Sequence, residues 1–306
     1  MPELKNKSVA SNEYDEEWVR DTWGWDTPEF FIKTQGKNLR PRITASLELA
    51  DLQPGMRILD IGCGRGEVVL HCGRLGINAV GIDYSEPALE LARQAKATHS
   101  QEEQTKMRFI QGDISELLDT ESFDRIFMLD IVEHLHDQQL NEIFRKCHRL
   151  LKPDGFMIIH TLPNKWVYDI TYSKIIRLFM PWLPKNPRTK KEKSIHINEM
   201  TILHLSQLLT EANFYNHVWL KDLIVEQARW HKKKTLKDNR EKIYKILSTP
   251  VIGFLYQLIA KTPLKFLIVN EMFAIAWNNN RTQPIRTPAG LAEKIFISLM
   301  RKKKNA

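Results

Sequence analysis

Cysteine and long apolar runs are scarce in this sequence, and each absence excludes a class of protein. The 306 residues include three cysteines, Cys63, Cys72 and Cys147. An odd number without a pairing pattern argues against a disulfide framework, so we interpret these cysteines as small core residues. Residues 1–25 contain no apolar signal core, and no apolar segment reaches the about 20 residues that cross a bilayer. We therefore expect a cytoplasmic protein.

Short apolar segments that end in a carboxylate alternate with amphipathic helical segments. These carboxylates are Asp60, Asp83, Asp113 and Asp130. Ser85 and Asp137 are good N-caps for two of the helices, and the second helix should stop at residues 152–155, before an apolar strand at 156–160. Repeated alternation predicts a doubly wound α/β fold with a parallel sheet. Ligands of such sheets bind at the carboxyl ends of the strands, where these acids lie.

The first strand runs into a turn with glycine at positions 62, 64 and 66. Glycine tolerates positive φ and lets a ligand approach the backbone closely. A ring of carboxylates would repel a pyrophosphate, and Glu67 stands where a dinucleotide fingerprint has its third glycine. S-adenosylmethionine fits better, because it has no phosphate and carries a sulfonium and an ammonium. We therefore expect S-adenosylmethionine as the cofactor.

Four motifs resemble those of the class I S-adenosylmethionine-dependent methyltransferases, of the type 11 or type 23 kind. They are DIGCGRG at 60–66, GIDYS at 81–85, GDI at 112–114 and DIVEHL at 130–135. The similarity is strongest to the branch that contains quinone, sugar and lipid methyltransferases, and it covers roughly residues 50–165. It implies a Rossmann-like, mainly parallel seven-stranded sheet with helical insertions.

The resemblance also implies which residues contact the cofactor: Asp60, Gly62, Gly64, Asp83, Tyr84, Asp113, Ile114 and Asp130. The two glycines would pass their backbone beside the cofactor, and Asp60 would assist its amino end. Asp83 would accept the ribose hydroxyls, Asp113 the adenine amine, and Asp130 would lie beside the methionine portion. Tyr84 and Ile114 would flank the adenine. Taken singly, each Asp has the alternative interpretation of a turn or helix-cap residue.

The last two strands of the sheet are harder to locate. Residues 214–220 can form the first, and residues 270–277 are apolar on both sides, as a strand inside a sheet requires. The alternative places residues 270–277 in a terminal helix. We divide the chain into an N-terminal helical cap (1–50), the cofactor-binding core (51–165), an acceptor-side insertion with a helix and the sixth strand (166–221), a helical apolar and basic insertion (222–266), the last strand (267–279) and a basic amphipathic tail (280–306).

Both insertions combine apolar helices with basic residues, in a chain of net charge +8. Residues 172–183 and 251–260 supply the apolar area. Basic residues gather nearby, at 185–193, 229–234, 240, 242 and 301–304. Apolar helices beside basic residues favour binding to a membrane interface or to an apolar substrate. Nucleic acid is the less favoured partner, because it more often recruits stacking aromatics; ordinary solvated surface with core packing is the remaining alternative.

Three histidines are candidates for the acceptor site. A hydroxyl acceptor must lose its proton during methyl transfer, and histidine suits that task near neutral pH. We favour His196, then His134, although each has a structural alternative, while His160 could face the core. Residues 130–134 have the spacing of a divalent-metal site found in some related quinone methyltransferases. Those relatives have Glu at the position of Asp130, so we expect no metal.

The end of the fourth strand narrows the substrate class. Enzymes that methylate exocyclic amines of nucleic-acid bases usually carry a polar residue, two prolines and an aromatic there, and this chain has DIVE at 130–133. We expect O-methylation of a glycan, lipid or lipid-linked intermediate, with peripheral membrane association. An RNA methyltransferase is the second hypothesis. A non-catalytic cofactor-binding module that recruits a partner protein is the third.

Overall fold

A seven-stranded sheet forms the centre of the protein. The computed structural model describes residues 27–179, 181–182, 184–186, 188, 190–231, 249–278 and 288. The strands follow the order β3-β2-β1-β4-β5-β7-β6. Their bounds are β1 (Arg57–Ile61), β2 (Asn78–Asp83), β3 (Met107–Gln111), β4 (Phe123–Leu129), β5 (Leu151–Thr161), β6 (Tyr215–Leu220) and β7 (Met272–Trp277). The first five strands pair in parallel, and β7 lies antiparallel between β5 and β6, which confirms the predicted fold class.

Helices connect the strands. They are α1 (Pro28–Lys33), α2 (Pro41–Leu49), α3 (Glu67–Arg74), α4 (Glu86–Ala97), α5 (Gln101–Thr105), α6 (Asp137–Leu150), α7 (Arg177–Phe179), α8 (Lys190–Ile195), α9 (Ile202–Glu211), α10 (Ile224–His231), α11 (Pro250–Ala260) and α12 (Lys265–Ile268). A π-helix at Val167–Ile176 leads into α7, and short 3-10 helices follow β3 and β4 at Ile114–Glu116 and Val132–His134. The predicted cap of α4 is confirmed, because Ser85 Oγ accepts the Ala88 N–H at 3.3 Å.

Neighbouring residues of the central strands face two separate cores. Leu59 packs into one core with Phe144 of α6, whereas Ile58 packs into the other with Val69 of α3. Parallel strands need helices on both faces, because their own side chains are apolar on both. The three cysteines are buried and free, as the sequence predicts.

Two predicted boundaries of α6 and β5 are wrong. The N-cap is His136 rather than Asp137, because the His136 side chain and Gln139 satisfy each other's backbone N–H groups. The predicted turn at 152–155 belongs to β5, since Leu151 already pairs with Phe123. The register shifts beside this pair, and a Cβ on Gly155 would lie 2.9 Å from the Phe123 carbonyl oxygen. The turn signal therefore marks an irregularity in the strand.

The two predicted C-terminal strands are β6 and β7, and they pair antiparallel. The alternative of a terminal helix at 270–277 is wrong. Between them the structure describes α10, α11 and α12. Residues 1–26, 232–248 and, apart from residue 288, the tail from 279 lie outside the described residues, together with the predicted basic clusters at 232–234, 240, 242 and 301–304.

None of the helices in the described part of the chain combines the length and the apolar character that a membrane span requires.

Candidate functional site

The turn after β1 brings the backbone against the end of β2. Gly62 has a φ of +68°, and a Cβ there would lie 2.0 Å from Ile131 Cδ1. The Gly64 N–H donates to Asp83 Oδ2 at 2.7 Å, while the Ser85 N–H donates to Oδ1 at 2.8 Å. The carboxylate at the end of β2 is thus fixed to the glycine turn after β1.

Three carboxyl groups surround this turn: Asp60, Asp83 and Glu67. Asp60 is only 3% exposed, and burial raises its pKa well above the ordinary value, with further increases from the charges of Glu67 and Asp83. Burial also raises the pKa of Asp83, against the opposing effect of its backbone N–H donors. Glu67 is the first residue of α3 and pairs with Arg65 at 2.9 Å. Arg65 offsets the charge of Glu67, and a further cation beside the turn would favour the ionised forms of Asp60 and Asp83.

Tyr84, Asp113 and Ile114 lie at the neighbouring strand ends. Burial raises the pKa of Tyr84, and the charges of Asp113 and Asp83 raise it further. The side chains of Tyr84, Asp113 and Asp83 therefore lie near one another. Asp113 caps the following 3-10 helix through Oδ1, which accepts the Ser115 N–H at 2.6 Å. Ile114 is buried. Asp113 therefore acts as a helix cap, which was the alternative interpretation of each Asp in the sequence. It lies at the same edge of the sheet as Asp83.

Asp130 follows β4 and has a φ of +58°. Its Oδ2 forms an ion pair with Arg42 Nε at 2.7 Å, and its Oδ1 bonds to His160 Nδ1 at 2.6 Å. Burial opposes its ionisation, but the charges of Arg42 and His160 outweigh this effect and hold its pKa well below the usual range. Both partners lie far from Asp130 in the sequence. We did not predict Arg42, for which the only local signal is a basic residue at the start of α2.

His134 and His196 lie next to each other in the fold. Their rings contact edge to face with centroids 5.2 Å apart. His134 Nδ1 lies 2.9 Å from the Ile195 carbonyl oxygen, and a carbonyl only accepts, so Nδ1 is the donor. Neutral His134 then carries its lone pair on Nε2. The two histidines that the sequence favours as acceptor contacts are therefore neighbours in the fold.

Glu133 completes this cluster. Potential ligand atoms of Glu133, His134 and His196 lie within 4.8 Å of one another. The Glu133 side chain is buried and accepts a hydrogen bond from the Thr161 hydroxyl at 2.7 Å, and burial raises the pKa of Glu133. Asp130, which the metal hypothesis included, is outside the cluster because its carboxylate bonds to Arg42 and His160. His160 is fully buried and faces Asp130 rather than the other two histidines.

The methyltransferase domain family matches residues 35–217, which is more than half of the chain. The chain belongs to this family. The match confirms the resemblance that the motifs at the strand ends indicate.

Curated relatives and solved structures agree with this membership. The chain is similar to the ubiquinone biosynthesis O-methyltransferase of Bradyrhizobium diazoefficiens, at 28% identity over 43% of this chain and 49% of the relative. It therefore spans about half the length of the curated relatives it matches. The structure is similar to phosphoethanolamine N-methyltransferase 2 of Haemonchus contortus, with a TM-score of 0.54, 18% identity and coverage of 88% of this chain and 60% of that one. A mycolic acid cyclopropane synthase gives a TM-score of 0.52 at 19% identity, covering 77% of this chain and 82% of that one. At these identities the solved structures show the fold alone.

Proposed function

We propose that this protein transfers a methyl group from S-adenosylmethionine to a hydroxyl of a lipid, glycan or lipid-linked acceptor at a membrane surface. The observation that carries the cofactor assignment is the cluster of Asp60, Glu67 and Asp83 around the glycine turn. When bound, this cofactor supplies an electrophilic methyl group on a positively charged sulfur. The carboxylates favour that charge, and the two solved structures named above are complexes with S-adenosylhomocysteine.

His196 and His134 are the groups we assign to the acceptor. One of these imidazoles would take the proton that the acceptor hydroxyl loses when the bound cofactor supplies its methyl group. The edge-to-face contact of the two rings holds them in a fixed mutual orientation. The hydrogen bond from His134 to the Ile195 carbonyl fixes its tautomer. Holding the reacting groups in line supplies much of the acceleration in such displacements.

The membrane assignment rests on the exposed face of α11. Val251, Phe254, Leu255 and Leu258 follow helical spacing and are all exposed, with Phe254 at 61%. On the opposite side of α11, Gly253 is buried, and the half-buried Tyr256 donates its hydroxyl to the Ile268 carbonyl at 3.4 Å. Such a one-sided apolar helix can lie in the interface of a bilayer.

A second apolar segment accompanies it. Leu178, Phe179 and Trp182 are each about three-quarters exposed, at 75%, 74% and 76%. The two insertions are joined at their bases, because the Thr171 hydroxyl donates to the Leu267 carbonyl and Trp166 packs edge to face on Phe266. The first insertion therefore packs against α12, which follows α11 in the chain.

Exposed lysines lie beside these apolar residues. Lys174 and Lys185 accompany the first segment, and Lys261 follows α11. Each basic residue near anionic headgroups contributes about 1 kcal/mol to membrane binding. This charge supports an anionic lipid surface as the partner.

The acceptor class is tested by mass spectrometry of lipids and glycans from cells with and without the protein. We expect one lipid or lipid-linked glycan to gain a methylene in mass when the protein is present, and Asp83→Ala to abolish that product. A methylated RNA nucleoside as the only difference would support the RNA methyltransferase hypothesis. No methylated product together with intact S-adenosylmethionine binding would support the non-catalytic module.

A further inference from the structure

Buried and half-buried groups, most of them of alternating charge, connect Asp130 to α10. Arg42 pairs with Asp130 Oδ2 at 2.7 Å, and Asp130 Oδ1 bonds to His160 Nδ1 at 2.6 Å. His160 Nε2 bonds in turn to Glu271 Oε2 at 2.5 Å. The Gln227 amide of α10 donates to the other oxygen of Glu271. This series, from Arg42 to Gln227, is called the charge relay below.

The geometry sets the protonation state of His160. Both ring nitrogens lie within hydrogen-bonding distance of a carboxylate oxygen, and an ionised carboxylate only accepts. With both carboxylates ionised, each ring nitrogen carries a proton and the ring is an imidazolium. Burial lowers the pKa of His160, but Asp130 and Glu271 outweigh that effect and raise it to about 9. The remaining charged group of the relay is Arg42 on α2, with Arg40 nearby.

Asp130 depends on this contact for its orientation. Its positive φ is uncommon for a residue other than glycine. Its N–H donates to the His160 carbonyl at 3.0 Å, so both its backbone and its side chain are held by one residue of β5. The relay then fixes where the Asp130 carboxylate points at the cofactor edge of the sheet.

We propose that His160 is a positioning residue, which holds Asp130 at the cofactor site and ties that site to α10 at the start of the second insertion. The inference rests on the proposed function for the role of Asp130 as a cofactor contact. Glu271 lies 111 residues from His160 in sequence and directly precedes β7. Substitutions at Glu271 should therefore affect cofactor binding through His160 and Asp130, to which Glu271 is connected by its hydrogen bond to His160.

A double-mutant cycle in the full chain tests the proposal by calorimetric titration with S-adenosylmethionine. We expect His160→Gln to weaken binding about tenfold in the wild-type background and to have no further effect in the Asp130→Asn background. Glu271→Gln should weaken binding in the same direction. Equal losses from His160→Gln in both backgrounds, or none in either, would overturn the positioning role. His148→Gln on α6 is the control variant, and we expect no change in affinity.

Two features keep this test separate from the proposed function. A wild-type chain that does not bind S-adenosylmethionine refutes the proposed function, whereas unchanged binding by His160→Gln refutes only the positioning role. Nitrogen NMR of histidine-labelled protein is a readout that does not depend on cofactor binding. At pH 8 we expect one imidazolium with both nitrogens protonated, which the His160→Gln spectrum assigns. A neutral His160 ring at that pH would contradict the relay.

Discussion

Asp60 is a residue whose buried carboxyl lowers the stability of the folded chain but favours the binding of a cation. Its pKa is raised by burial and by Glu67 and Asp83, so the folded chain resists ionising it. The native state then holds a proton that the unfolded chain releases, and stability falls as pH rises from the ordinary carboxyl range to the raised pKa. A residue that costs stability without a ligand is understandable if its charge serves a bound cation.

We therefore expect Asp60→Asn to stabilise the ligand-free chain at pH 7, because the amide has no charge to be disfavoured by burial and by the neighbouring acids. Urea unfolding measures the change, and the stabilisation should shrink as the pH is lowered. The same variant should bind S-adenosylmethionine more weakly. The exposed Asp119 pairs with Lys146 and serves as the control, because Asp119→Asn should not raise the midpoint. A less stable Asp60→Asn would contradict the assigned repulsion.

His196 is the second prediction at this scale. We expect His196→Ala to lower methyl transfer to a lipid extract by roughly 10²- to 10⁴-fold, the usual contribution of a general base, while cofactor affinity stays unchanged. His134→Ala should have a smaller effect. His204→Ala is the control, since His204 bonds to Asp137 on the neighbouring helix. Activity should survive treatment with a chelator; loss that magnesium restores would identify the Glu133, His134 and His196 cluster as a metal site.

At the scale of elements, the turn from β1 to α3 requires glycine at position 62. Gly62 combines a φ of +68° with a contact to Ile131 that leaves no space for a side chain. Gly55 also has positive φ, at +84°, but a Cβ there would meet nothing within 4 Å. Alanine substitutions at Gly55 and Gly62 therefore separate two contributions to the loss of unfolding free energy: the strained backbone conformation, present at both, and the steric clash, present only at Gly62.

We expect Gly55→Ala to cost about 1 kcal/mol in unfolding free energy and Gly62→Ala roughly 1–3 kcal/mol more. Chemical denaturation measures both. Ile131→Ala combined with Gly62→Ala should recover part of the difference, because it removes the side chain that the new Cβ meets. Equal costs for the two glycine substitutions would show that the close approach of Ile131 has no energetic consequence.

The α11 helix carries the membrane prediction. We expect Phe254→Ser to weaken sedimentation with anionic vesicles, because it removes an exposed apolar side chain from the proposed bilayer face. Tyr215→Ser on β6 is a matched control, since Tyr215 is 58% exposed and Phe254 61%, and we expect it to bind vesicles normally. High salt should release part of the wild-type protein. Equal binding by both variants would exclude α11 from the interface.

Elements with strong local signals were predictable from the sequence, and those governed by pairing were not. The glycine turn and the Ser85 cap depend on residues within a few positions, so the sequence reveals both. The start of β5 depends on pairing between Leu151 and Phe123, which overrides the turn signal of Pro153 and Gly155. The apolar character of both sides of 270–277 indicated a strand inside the sheet, and β7 lies between β5 and β6.

At the scale of the whole molecule, the acids at the strand ends were predictable but their partners were not. Asp83 and Asp113 end neighbouring parallel strands, so the topology alone brings them to one edge. The partners of Asp130 come from α2 and β5, and the second partner of His160 comes from a residue 111 positions away. No spacing in the sequence encodes such contacts, because they exist only once the sheet has formed.

The central claim is that the carboxylates around the glycine turn bind S-adenosylmethionine, and calorimetry of the full chain at neutral pH tests it most directly. We predict saturable one-to-one binding by the wild type, weakened at least about tenfold by Asp83→Ala because the carboxylate that should hold the ribose hydroxyls is removed. Asp119→Ala should bind like the wild type. Absence of binding by the wild type, or equal affinity of Asp83→Ala, would contradict the account.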